Sequence, residues 1–130
     1  MFRYLTLIAA LLSSGPARAL DWSEAHTRTV ILHNRCDETW EVLIKYSPRK
    51  DVWRKAGFFR IAPGKISRAI HNGSALQHRD KAVIYIYAET PNGRRAKTGD
   101  HGINYRGDHF KAYEGNRLLR GGFVEIPILC

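Results

Sequence analysis

The residues best equipped for chemistry are two Asp-His pairs, Asp100-His101 and Asp108-His109, on either side of the segment Gly-Ile-Asn-Tyr-Arg-Gly. Imidazole beside carboxylate can ligate zinc or another divalent cation, and it can pass a proton as acid and base. The spacing matches no known ligand signature, and a glycine-punctuated stretch separates the pairs. A solvated polar loop is therefore expected. Metal-dependent or hydrolytic chemistry by Asp100, His101, Asp108 and His109 is the alternative. His26, His33, His71 and His78 are scattered, and His33, beside a strand, is expected to be satisfied at the edge of a core. Ser67 and Ser74 lack a nucleophile elbow. No cofactor motif is present, so no cofactor is expected.

The second chemical feature is cationic. Arg49, Lys50, Arg54, Lys55, Arg60, Lys65 and Arg68, then Arg94, Arg95 and Lys97, surround Trp53, Phe58 and Phe59. Basic residues interleaved with aromatics resemble a nucleic-acid surface in composition. A purely solvated face weighs about equally. Arg54, Lys55, Arg60, Lys65, Arg94 and Arg95 are the candidate binding residues. Arg54 and Arg60 share a strand face only if no bulge intervenes at Gly57. The rings of Trp53, Phe58, Tyr85 and Tyr87 are expected in the core rather than on a stacking platform.

The chain has 130 residues and a formal charge of +9. Residues 1–19 read as a secretory signal. Arg3 gives a positive start, Leu5 to Leu12 an apolar run, and Ala17-Arg18-Ala19 a small-x-small cleavage site. The apolar run is too short to span a bilayer as a helix. Residues 1–19 hold two of the 21 Lys and Arg and none of the 12 Asp and Glu, so residues 20–130 carry +7 with His neutral. That balance favours an anionic partner at the envelope or an acidic protein. Export, periplasmic or extracellular, argues against nucleic acid in vivo. Cys36 and Cys130 are the two cysteines, and in an oxidising compartment they are expected to pair. Two free thiols or an intermolecular bridge are the alternatives.

Residues 20–130 suit a single domain. Thr29–Asn34 is β-branched and apolar. Trp40 to Tyr46 alternates with period two, the mark of a half-buried strand. Ser47 to Asp51 reads as a loop, because Pro48 cannot join a central ladder. Val52 to Ile61 is a strand with Gly57 at a bulge or close approach. Pro63-Gly64 suits a type II turn, and Lys65 to Ile70 continues as a strand. Lys81 to Glu89 is nearly all apolar, as in a central strand covered on both faces. Thr90 to Gly107 reads as a long irregular segment. Phe110 to Tyr113 and Phe123 to Leu129 complete the strands. No segment keeps a helical period, so the fold class is all-β: a single small antiparallel sandwich or barrel-like domain.

Asn34-Arg35-Cys36, the alternating strand after it, Trp53, Gly57 to Gly64, Tyr85-Ile86-Tyr87-Ala88-Glu89 and Arg120-Gly121-Gly122-Phe123 come in a set order. That order resembles the bacterial family called domain of unknown function 1036, over most of residues 30–126. The resemblance implies an exported β domain and carries no activity. Lys65 stands where many members place a cysteine, and Cys130 lies beyond the usual end, so no family disulfide pattern is carried over.

These readings converge on an exported, non-enzymatic binding domain with a basic surface that engages an anionic envelope partner. The enzyme at the Asp100 to His109 segment and a structural accessory subunit are the alternatives. Processing after Ala19 is expected to leave a chain that begins at Leu20. Intact-mass measurement of exported protein checks this, and retention of residues 1–19 would refute it.

Overall fold

A computed structural model describes residues 26–130. The expected signal at residues 1–19 lies outside the described residues. All regular elements of the described chain are strands, and two sheets carry the fold. The first is built on Thr27–Asn34 (β1). On one side of β1, Phe123–Ile128 (β13) runs parallel and leads to Leu118–Arg120 (β12). On the other side, Ile66–Arg68 (β4) and Gln77–Arg79 (β7) pair antiparallel with successive parts of β1. The remaining sheet pairings are antiparallel.

The second sheet has the order hairpin, central strand, long hairpin. His101–Tyr105 (β10) pairs with Asp108–Glu114 (β11), which pairs with Tyr85–Glu89 (β8). Next to β8 lie Trp40–Arg49 (β2) and then Val52–Ile61 (β3), with the short Ala96–Lys97 (β9) against the end of β8. A separate hairpin joins Ile70–His71 (β5) to Ser74–Ala75 (β6). Its two turn residues, Asn72 and Gly73, both have positive φ, 52° and 80°, the primed geometry that suits the twist of a hairpin.

Period two on β2 feeds two cores. Trp40, Val42, Ile44 and Tyr46 meet Val30, Leu32, Val124, Ile126 and Ile128 of the first sheet in the main core. Leu43 points the other way and packs with Ile103 and Ala112, ringed by Phe58, Tyr85, Tyr87, Tyr105 and Phe110. That second core requires the sheet to curl until β10 faces β3. Side chains cross the remaining seam: Lys55 Nζ donates to the Asn104 carbonyl at 2.6 Å, and the Tyr105 hydroxyl donates to the Gly57 carbonyl at 2.8 Å. The domain is thus a sandwich, one layer of which is rolled towards a half-barrel.

A bulge makes the double burial possible. Val42 pairs with Phe59 and Ile44 with Ala56, so Leu43 alone opposes Gly57 and Phe58. The extra residue sends Phe59 to the main core and Phe58 to the second. Only glycine fits at position 57: a Cβ there would stand 2.9 Å from the Val42 carbonyl oxygen and 3.0 Å from the Leu43 Cα.

The expected disulfide is present. Cys36 and Cys130 are bonded, with Cα atoms 5.5 Å apart and a sequence separation of 94. Closing a loop of that length contributes roughly 4–5 kcal/mol in the chain-entropy model. The Asn34-Arg35-Cys36 turn that presents Cys36 is held by a fully buried Asn34. The Asn34 Nδ2 donates to the carbonyls of Glu38 and Ile61, and Oδ1 accepts from the Cys36 N–H.

Three expectations need correction. Strand β2 continues through Ser47 and Pro48 to Arg49. A second register shift between Tyr46 and Arg49 lets the ladder skip Pro48, so its missing N–H costs nothing. The segment from Thr90 to Gly107 is not irregular throughout, since it contains β9 and β10. Trp53 is not a core residue: it is 41% exposed, because it lies opposite that second bulge on the edge strand. The two tryptophans should therefore respond differently. Trp40→Ala, at a site 1% exposed, is expected to cost about 3–5 kcal/mol. Trp53→Ala should cost under about 1 kcal/mol, as surface substitutions do. Denaturant unfolding of both variants checks this, and equal losses would refute the assignment.

Candidate functional site

Register across the curled sheet sorts the side chains of its inner face into three rows. The middle row is the apolar second core. One end holds Glu41, Glu89, Tyr105 and Asp108, with Arg60 paired to Glu41 at 3.6 Å. The opposite end holds Lys45, Trp53, Lys55, Tyr85 and His101, with Glu114 across the ladder from Tyr85 on the side away from Lys45.

At that end Lys45 on β2 lies directly across the ladder from Lys55 on β3, and on its other side from Tyr85 on β8. Like charges directly opposite destabilise a sheet. No carboxylate among the described residues forms an ion pair with either lysine. The half-buried Lys45 ammonium donates instead to His101 Nε2 at 2.9 Å. It stands 5.7 Å from the Trp53 ring centre and 5.9 Å from that of Tyr85, a range in which ring quadrupoles attract a cation. His101 stacks flat on Tyr85, with centres 3.6 Å apart and planes 6° apart, and Trp53 leans on Tyr85 at 6.0 Å and 45°. Burial, and then the Lys45 charge, lower the His101 pKa from its ordinary 6.5. Neutral His101 is the form that accepts the Lys45 proton.

The Asp-His pairs do not gather. His101 opposes Ala112, whereas Asp108 opposes Tyr105 four rungs away. His109 lies on the outer face of the hairpin, with Nδ1 2.7 Å from Asn104 Oδ1, and Asp100 is exposed ahead of β10. No group of three or more His, Cys, Asp and Glu able to hold a metal ion occurs among the described residues.

The basic set is likewise divided. Arg54 faces the Tyr46 side of the sheet and Arg60 the Glu41 side, since the Gly57 bulge intervenes. Arg54 and Lys55 lie at the lysine end. Arg60, Lys65 beyond β3, and Arg94 and Arg95 beyond β8 lie at the opposite end, where Arg95 pairs with Glu38 at 2.7 Å. Sequence reading missed Lys45, Tyr85 and His101 as partners. The signal that could have found them was Lys45 at a polar position of a strand flanked by two tyrosine- and tryptophan-bearing strands.

His33 is satisfied as expected, 3.2 Å from Glu125, which also takes Arg120 at 3.2 Å. His78 is a buried structural residue. Its Nδ1 accepts from the Ser47 N–H at 3.0 Å, and its Nε2 donates to the Ala82 carbonyl at 2.8 Å. Arg117 also donates to that carbonyl.

No family model, curated protein or solved structure matches the chain. The site therefore stands on its own geometry.

The titration of His78 gives a testable consequence. Burial lowers its pKa from the ordinary 6.5, Arg117 and Arg79 push the same way, and the Ala82 hydrogen bond and Asp80 oppose them. A lowered folded pKa means that the unfolded chain binds the proton first. The stability is complete above the ordinary value and is lost as pH falls through the folded one. The Tm of the wild type is expected to drop between pH 7 and pH 5. His78→Gln, which keeps a donor and an acceptor without titrating, should flatten that drop, with His101 supplying the remainder. Identical slopes in the two proteins would refute the assignment.

Proposed function

We propose that this chain is an exported, non-enzymatic binding domain that engages an anionic envelope component, with the Lys45–Lys55 end of the curled sheet as its contact surface. One observation carries the reading: two lysines face each other across a ladder, and no carboxylate among the described residues forms an ion pair with either. A cross-strand pair of opposite charge would stabilise the same ladder by roughly 0.2–1 kcal/mol. The counter-charge that the fold omits is one that a ligand can bring. The +7 charge of residues 20–130 adds long-range attraction for the same sign of partner. Membership of the domain of unknown function 1036 family belongs to this proposal and brings no activity with it.

The lysines also bridge towards β10, through His101 and Asn104. Such a latch needs a hydrogen-bond donor but no charge, and this separates it from a binding role. Lys55→Gln keeps a donor and removes the charge. Lys45→Met removes both. Binding of dextran sulfate by the purified protein is expected to weaken as salt rises, since exposed contacts are screened beyond about 8 Å at physiological ionic strength. Lys45→Met and Lys55→Gln together should weaken it at least tenfold, with the Tm of Lys55→Gln unchanged or higher. Arg94→Gln with Arg95→Gln, at the opposite end, should have little effect. Lysine variants that bind like the wild type would overturn the proposal and leave the lysines as a structural latch.

A further inference from the structure

We infer that the ligand class is an acidic saccharide, with one sugar ring laid on the indole of Trp53 and its anionic substituent held between Lys45 and Lys55. This rests on the anion-binding reading above and adds the ring. The argument starts from how Trp53 is presented. The register shift between Tyr46 and Arg49 falls opposite Trp53, and bulges beside functional sites re-aim side chains. The indole is left 41% exposed, yet it is held against Tyr85 at 6.0 Å. Tyr85 is itself braced by the stacked His101. A large ring fixed before binding loses little conformational entropy when a ligand covers it. The other large apolar residues with comparable exposure, such as Ile66, Ile70 and Leu119, are aliphatic, and none lies in this row of the curled sheet.

The chemistry of the platform narrows its ligand. An aromatic face is electronegative, so it attracts the electropositive C–H face of a pyranose. A carboxylate, sulfate or phosphate on that sugar projects past the edge of the stacked ring, and Lys45, 5.7 Å from the Trp53 ring centre, with Lys55 across the ladder from it, supplies the counter-charge. A cationic ligand is disfavoured, because Lys45 already occupies the cation position over both Trp53 and Tyr85. A nucleic-acid strand gains its affinity by stacking successive bases on successive rings. Here His101 takes the face of Tyr85 and leaves Trp53 as the platform.

Four probes separate these possibilities on the mature protein: trigalacturonate, its methyl ester, a short polyphosphate and an oligothymidylate. Affinity is read by calorimetry, and contact with the indole by acrylamide quenching of tryptophan emission. The emission change is assigned to Trp53 by its absence in Trp53→Ala. Trigalacturonate is expected to bind, to shield Trp53 from quencher, and to lose at least tenfold in affinity on esterification, in Lys45→Met and in Trp53→Ala. Polyphosphate should bind more weakly, through Lys45 but without Trp53. If polyphosphate or oligothymidylate binds at least as tightly as trigalacturonate and depends on Lys45, the saccharide inference fails and the anion site stands. If trigalacturonate and dextran sulfate both bind through Lys45 with no loss in Trp53→Ala, the ring contact fails in the same way. If no anion binds in a Lys45-dependent manner, the inference and the reading beneath it fall together.

Discussion

The close approach of Gly57 to β2 is the constraint on which the rest of the domain depends. A strand normally offers one face to one core. Here β2 buries both, and its neighbour β3 must supply a large aromatic to each side. The bulge at Gly57 and Phe58 does so by changing the phase of β3 halfway along. Phe59 and Ala56 then serve the core between the sheets, while Phe58 enters the space under the curl. Any side chain at position 57 would meet the Val42 carbonyl and the Leu43 backbone. The bulge would then open and the curl would lose its floor.

The same phase change distributes charge. Beyond the bulge, Arg60 faces inward next to Glu41 and is compensated. Before it, Lys55 faces inward next to Lys45 and is not. At one end of the curled sheet the strand cation thus meets a carboxylate, and the other end carries two ammonium groups supported by rings, an imidazole and a carbonyl. Neutral donors and ring quadrupoles stabilise an ammonium without cancelling its charge. A sheet that tolerates such a pair gives up a few tenths of a kcal/mol at a position where a single substitution would recover it. Proteins commonly keep that kind of compromise where stability and binding compete.

Much of the architecture was legible in the chain. The alternation of Trp40 to Tyr46, the Asn72-Gly73 and Pro63-Gly64 turns and the glycine in β3 each specify local geometry, and the observed strands, turns and bulge follow them. The hairpin of β10 and β11 was not legible, for two physical reasons. Its turn residues are Arg106 and Gly107, both with positive φ, 51° and 86°. Arginine is an uncommon first residue for that primed turn, so the usual hairpin signal is absent. Gly99, which looks like loop punctuation, is instead a contact point: a Cβ there would lie 2.6 Å from the Ala112 carbonyl oxygen. Close backbone approach and loop flexibility both select glycine, and sequence alone does not separate them.

What the sequence determined by itself is what depends on neighbouring residues: the all-β class, most strand positions, the turns, and, with two cysteines in the chain, the pairing of Cys36 and Cys130. What only the tertiary structure decided depends on register between strands. Period two tells which residues of β3 share a face. It does not tell which residue of β2 stands opposite, and each bulge shifts that assignment by one. Trp53 moved from expected core to exposed platform for this reason. Arg54 and Arg60 fell on opposite faces, and Lys45, never singled out in the sequence, came to face Lys55. A side chain's chemistry is written in the chain, but its counter-charge is set by whichever strand lies beside it.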